Sequence, residues 1–169
     1  MPDGITIEKL DPAHIEDVAP LWKALLDHIA VLPDSIVPIR PSDESWALER
    51  GEMLKALEGD AFVLVARRGG GAVGYAFVAV EGPDPVWYTG DLRAELCHLS
   101  VADGERGNGV GTALMDAMDA ELERRGYRAD FHIFYGSPGR KPWACLKRAE
   151  EDEKAGRGRY APPGPRAAP

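Results

Sequence analysis

The chain has 169 residues, 44% apolar and 28% charged, which suits one domain able to bury a real core. Its formal net charge is -8, which argues against nucleic acid as a partner, because phosphate contacts need a basic face; it aids solubility and would also draw a cationic ligand such as an amine. No run of about 18 apolar residues predicts a membrane span, the start "MPDGITIEKL" lacks the basic and apolar regions of a signal peptide, and two cysteines, Cys97 and Cys145, fit a reducing, cytoplasmic setting with no zinc-like spacing.

In chain order, "ITIEKL" (Ile5–Leu10) alternates apolar and polar residues as a half-buried strand does. Asp11 is an N-cap candidate with Pro12 at the first helical position. A helix to about Ala30 follows, with Val18, Leu21, Trp22, Leu25, Leu26 and Ile29 on one face. "VLPDSIVPIRP" reads as a loop. "SDESWALERGEMLKALEG" predicts a second helix, with Ser42 and Ser45 as candidate caps and Trp46, Met53, Leu54 and Leu57 facing inward. Phe62–Ala66 and Ala72–Val80 are β-rich runs joined by "RRGGG", a hairpin signal. "GPDPVWYTGD" is a second loop, and Arg93–Val101 a third long strand. A helix over about Val110–Arg125 with Gly126 as its stop comes next, then a strand at Ala129–Tyr135. The end, "EEDEKAGRGRYAPPGPRAAP", is charged and then rich in Pro, Gly and Ala, the composition of a loose tail. The expected layout is a domain over 1–149 and a tail over 150–169.

The stretch "ERGNGVGTALMDAM" carries the chemistry. Gly107, Gly109 and Gly111 stand between a strand and a helix. That arrangement lets main-chain amides and the positive end of a helix dipole close on a phosphate without a Cβ in the way. It is not a Walker loop, which ends in Gly-Lys-Ser/Thr, and the spacing is not that of a dinucleotide fingerprint.

These residues resemble the acetyl-coenzyme A loop of the GNAT superfamily of N-acyltransferases, Arg-Gly-x-Gly-x-Gly-x-x-Leu, which Arg106, Gly107, Asn108, Gly109, Val110, Gly111 and Leu114 match in order. "ELCHLSV" is similar to the family's fourth strand, and the likeness runs from Ile5 to Tyr135. The resemblance implies an α/β (α+β) fold, a mixed, mostly antiparallel sheet flanked by helices. It implies acetyl-CoA as acyl donor, a small-molecule amine (or a protein N-terminus) as acceptor, and no metal. It also implies that the backbone of Leu99, Ser100 and Val101 pairs with the pantetheine arm. The amides from Arg106 to Thr112 would hold the diphosphate, and an amide near Leu99 would polarise the thioester carbonyl.

The attacking amine must be neutral, and deprotonating a lysine-like amine at pH 7 costs on the order of 4–5 kcal/mol. A general base offsets this. Glu95 is the candidate, at a position where several relatives carry a catalytic glutamate; the other reading is an exposed strand acid or a partner of Arg93, and His98 is the other candidate base. Strict alternation puts Glu95, Cys97, Leu99 and Val101 on one face and His98 on the other. His98 is then a packing residue, as are His28 and His132, and Cys97 a small buried residue. Trp46, Trp87 and Tyr88 fall in segments that border the acceptor site in relatives, with core packing the first reading for Trp46.

After its fifth strand the family continues with Asn-x-x-Ala-x-x-Phe/Leu-Tyr-Glu-x-x-Gly-Phe, whose tyrosine reprotonates the coenzyme thiolate. "GSPGRKPWACLKRAEEDEKAG" departs from this pattern, and Tyr135 comes too early to replace that tyrosine. Codons from Lys141 onward, read one frame over, can spell Ala-Leu-Gly-Leu-Leu-Glu-Ala-Arg-Gly, which fits the missing motif; sequencing the gene across Gly136–Ala149 tests a frame shift. With this altered end, an inactive acyl-CoA-binding protein is the alternative reading. An uncovered fifth strand would leave an edge for a homodimer.

Overall fold

The computed structural model describes residues 4–31, 38–81 and 93–125. The expected strand at Ala129–Tyr135, the Gly126 stop, His132, Cys145, Trp87, Tyr88 and the tail lie outside the described residues. Among the described residues, four strands, β1 (Thr6–Lys9), β2 (Phe62–Arg68), β3 (Gly71–Glu81) and β4 (Arg93–Val101), form a sheet in the order β1-β2-β3-β4 with every pair antiparallel, and three α-helices flank it: α1 (Ala19–Ala30), α2 (Ser42–Leu57) and α3 (Val110–Arg124). The architecture is the helix-flanked antiparallel sheet that the sequence implies.

The run Phe62–Ala66 is apolar without alternation and wholly buried, as a strand covered on both faces requires. Val63 and Val65 face α1 and α2 together with Tyr75 and Phe77, while Phe62, Leu64, Ala76 and Val78 face α3. Burying side chains such as Phe62, Leu114 and Met118 contributes about 1.5–3 kcal/mol each. The β2–β3 connection is the two-residue loop Gly69-Gly70, whose φ values of 57° and 86° are those that hairpin twist demands.

The segment after β1 departs from the single helix expected over Pro12–Ala30. Asp11 does cap it, accepting from the Ala13 amide at 2.9 Å. However, Pro12–Val18 is a 3-10 helix with non-helical geometry at His14, and α1 begins at Ala19 with Pro20 in its first turn. Proline there lacks an amide to continue the earlier ladder but is pre-set to open a new helix. The N-cap of α2 is Pro41, not Ser42 or Ser45; the Ser45 hydroxyl instead donates to the Arg40 carbonyl at 3.4 Å.

Helix α3 lies unusually close to β3. A Cβ at Gly74 would stand 3.1 Å from Val110 Cγ1, 3.2 Å from Leu114 Cδ1 and 3.2 Å from the Ser100 carbonyl. Gly74→Ala is therefore an overpacking substitution and should cost about 1–3 kcal/mol. A urea midpoint equal to the parent's would contradict the tight contact.

Candidate active site

The glycine loop is built from its anchors outward. The Ala102 amide donates to the Val73 carbonyl at 2.9 Å, fixing the end of β4 to β3. A short 3-10 turn, Asp103–Glu105, follows. Arg68 at the hairpin turn binds both carboxylate oxygens of Glu105, at 2.9 and 3.1 Å. Arg106 spans the loop, donating from Nε to the Val101 carbonyl at 3.1 Å and pairing with Asp103 at 3.1 Å. Gly107 and Gly109 have φ of 83° and 80°, a region costly for other residues. Gly109 is the N-cap of α3, and no side chain caps that helix.

The first backbone bond into α3 is Ala113 N–H to the Gly109 carbonyl at 2.9 Å. The amides of Val110, Gly111 and Thr112 thus have no partner within the helix and carry the positive end of its dipole. Asn108, Gly109 and Thr112 are exposed and line an open groove of about 640 Å³ that continues past Ile7 and Asp116. Gly111 differs from its two neighbours in kind. Its φ is not positive, and a Cβ there would meet only Val101 Cγ2 at 3.8 Å, an ordinary contact. Nothing in the described chain requires position 111 to be bare.

Strand β4 departs from strict alternation. Phe77 pairs with His98 but Val78 with Leu96, so Cys97 is an extra residue in a β-bulge. The bulge flips the parity of everything before it. Leu99 and Val101 lie opposite Ala76 and Gly74 on the α3 face. Glu95 pairs with Ala79, and His98 and Ser100 with Phe77 and Tyr75, on the α1/α2 face. Glu95 therefore shares a face with His98, not with Leu99 and Val101, which corrects the alternation expected from sequence. Cys97 is exposed rather than buried for the same reason.

Glu95 is exposed, and Ser100 is buried, its hydroxyl donating to the Leu21 carbonyl of α1 at 3.0 Å. Trp46 packs in the core against Trp22 at 5.5 Å between ring centroids and donates from Nε1 to Glu16 at 3.1 Å. His98 sits among aromatic rings, 5.5 Å from Phe77, 6.3 Å from Tyr75 and 6.5 Å from Trp22 between centroids. Burial lowers its pKa to about 4, so it is neutral at pH 7. Its Nε2 lies 3.6 Å from Glu49 Oε1. Burial, and then the charge of Glu52, hold the Glu49 carboxyl above its ordinary range. Glu49 was not singled out from the sequence. The signal was there: Trp46, Glu49 and Met53 follow helical spacing, and Trp46 and Met53 are buried, so Glu49 is an acid at a core-facing position.

Residues 59–142 match the family profile described as Acetyltransferase (GNAT) domain. No curated protein matches. Among solved structures, the chain is similar to a GCN5-related N-acetyltransferase from Ralstonia eutropha JMP134 (22% identity, 98% of each chain covered, TM-score 0.62). It is also similar to a ribosomal-protein-alanine N-acetyltransferase from Brucella melitensis biovar Abortus 2308 (26% identity, 87% of this chain and 90% of that one, TM-score 0.55). A third is a predicted acetyltransferase with acetyl-CoA from Clostridium acetobutylicum (18% identity, 86% and 88% covered, TM-score 0.61). With the glycine loop after β4, the helix-flanked antiparallel sheet and the matching profile together, residues 59–142 belong to the GNAT acetyltransferase family.

Proposed function

We propose that the chain transfers the acetyl group of acetyl-CoA to a primary amine of a small molecule or a protein N-terminus. The observation that carries this is the uncapped start of α3 behind Gly107 and Gly109. In this reading the loop from Arg106 to Thr112 binds the diphosphate, and the backbone of Leu99, Ser100 and Val101 binds the pantetheine arm along the edge of β4. The Leu99 amide polarises the thioester carbonyl. Acetyl-CoA supplies the activated acyl group. Glu95, exposed on the α1/α2 face, takes the proton of the acceptor amine, directly or through a water. The domain is 1–149 with an appended tail, in a cytoplasmic setting, and a homodimer through the fifth strand belongs to the same reading. Among the described residues no helix is long and apolar enough to cross a membrane, and no group of three or more His, Cys, Asp or Glu is placed to hold a metal.

Thiol release from acetyl-CoA across a panel of amines tests the transfer, and titration calorimetry with CoA tests the loop. Glu95→Gln should lower amine-dependent turnover on the order of 10²-fold while CoA binding holds; an unchanged rate rejects Glu95 as the base. The altered sequence after Tyr135 supports a second reading, a non-catalytic acyl-CoA-binding protein. CoA binding without thiol release for any amine would favour it.

A further inference from the structure

The α1/α2 face of the sheet holds a second carboxylate that the transfer step leaves unused. Glu49 projects from α2 toward β4 and meets the His98 ring. Glu52, one turn on, adds a like charge. Among the described residues neither acid has a lysine or arginine within ion-pair distance, and His98 carries no charge at pH 7. Desolvating an anion without a positive partner is costly. Two further polar atoms close by are also unsatisfied. The Tyr75 hydroxyl is fully buried, has no hydrogen-bond partner and feels the Glu49 charge. His98 Nδ1 is likewise buried and unpartnered.

The three groups suit one kind of ligand. With its Nε2 proton toward Glu49, His98 offers a lone pair at Nδ1. A carboxylate, an imidazole lone pair and a phenolic oxygen are all acceptors, and an ammonium group brings three donors and a positive charge.

We propose that Glu49, with His98 and Tyr75 behind it, binds a second cationic group of the acceptor, so that the preferred substrates are di- or polycationic amines. This rests on the acetyltransferase reading above. Glu95 and His98 lie opposite Ala79 and Phe77, two residues apart on β3, or about 7 Å along the strand. A chain of roughly four to five carbons between the two nitrogens spans that distance. One amine is then held at Glu49 as the cation while the other, deprotonated at Glu95, attacks the thioester; the new C–N bond forms as the C–S bond breaks, and CoA leaves as a thiolate that takes up the proton the nitrogen loses.

The test compares butane-1,4-diamine with butylamine, which lacks the second charge, at saturating acetyl-CoA. The parent should favour the diamine in kcat/KM by about tenfold or more. Glu49→Gln should reduce that ratio about tenfold through KM for the diamine, and Tyr75→Phe, which keeps the ring, should reduce it less. The thermal shift on adding CoA reports that each variant is folded. An unchanged ratio in Glu49→Gln overturns the proposal and makes Glu49 a half-buried acid satisfied by His98 alone. If neither amine is acetylated, calorimetry of butane-1,4-diamine into CoA-saturated protein decides: binding that Glu49→Gln abolishes supports the subsite, and absence of binding rejects it. Failure to bind CoA at all would instead reject the acetyltransferase reading itself.

Discussion

Gly111→Ala should make the protein slightly more stable and a much poorer binder of CoA. The two effects have separate causes. In the fold, position 111 is helical and a Cβ there touches only Val101 Cγ2 at 3.8 Å. Alanine relieves the conformational cost of glycine in a helix, a gain of up to about 1 kcal/mol. Over the amides, the same methyl group occupies the space a diphosphate oxygen would take. It should weaken CoA by on the order of 100-fold, close to 2.7 kcal/mol. Gly107 and Gly109 behave differently, because their φ values of 83° and 80° make any side chain destabilising in the fold itself. Denaturant melts and calorimetry on the Gly111→Ala protein check both halves. If CoA binds the variant as tightly as the parent, the diphosphate does not rest on these amides.

Acidification should destabilise the protein well above the range where carboxylates usually fail. His98 has an ordinary pKa of 6.5 when exposed and about 4 in the fold, because burial disfavours its charged form. Between these values the unfolded chain binds a proton that the folded chain does not. Stability is therefore complete above pH 6.5 and falls as the pH drops toward 4, by ~3 kcal/mol in total. Glu49 works in the opposite sense, since its raised folded pKa favours the fold as it protonates. Its shift opposes that of His98. Glu121, held down to about 2 by the Arg124 guanidinium and then by Arg125, stays charged throughout. Urea unfolding at a series of pH values on the parent and on His98→Gln isolates the imidazole. The parent's stability should drop more steeply below pH 6.5, and parallel curves would show that His98 does not titrate this way.

Much of the fold was legible in local pattern. The period-2 stretch at the N-terminus, the Gly-Gly hairpin and the helical spacing of Trp46, Met53, Leu54 and Leu57 each led to the element that the structure contains. The glycine loop was legible because the left-handed backbone at Gly107 and Gly109 leaves a trace in residue type. The break before Pro20 is marked by the proline itself, although the apolar face runs on across it. The bulge at Cys97 was not readable, since an extra residue in a ladder shows itself only against the partner strand. From that one insertion followed the wrong face for Glu95 and the wrong burial for Cys97. The meeting of Glu49 with His98 joins residues 49 apart in number by tertiary packing alone, although the acid's place among core-facing neighbours was a clue.

The bulge has a consequence for how such a protein changes over time. The sheet is a partition, with the loop-bearing helix α3 on one side and Glu49, His98 and Glu95 on the other. On the proposed reading, substitutions on α1 and α2 would retune which molecule is accepted while the opposite side keeps its hold on a common donor. Selectivity and donor use would then be free to diverge separately, on either side of the irregular step where β4 passes Cys97.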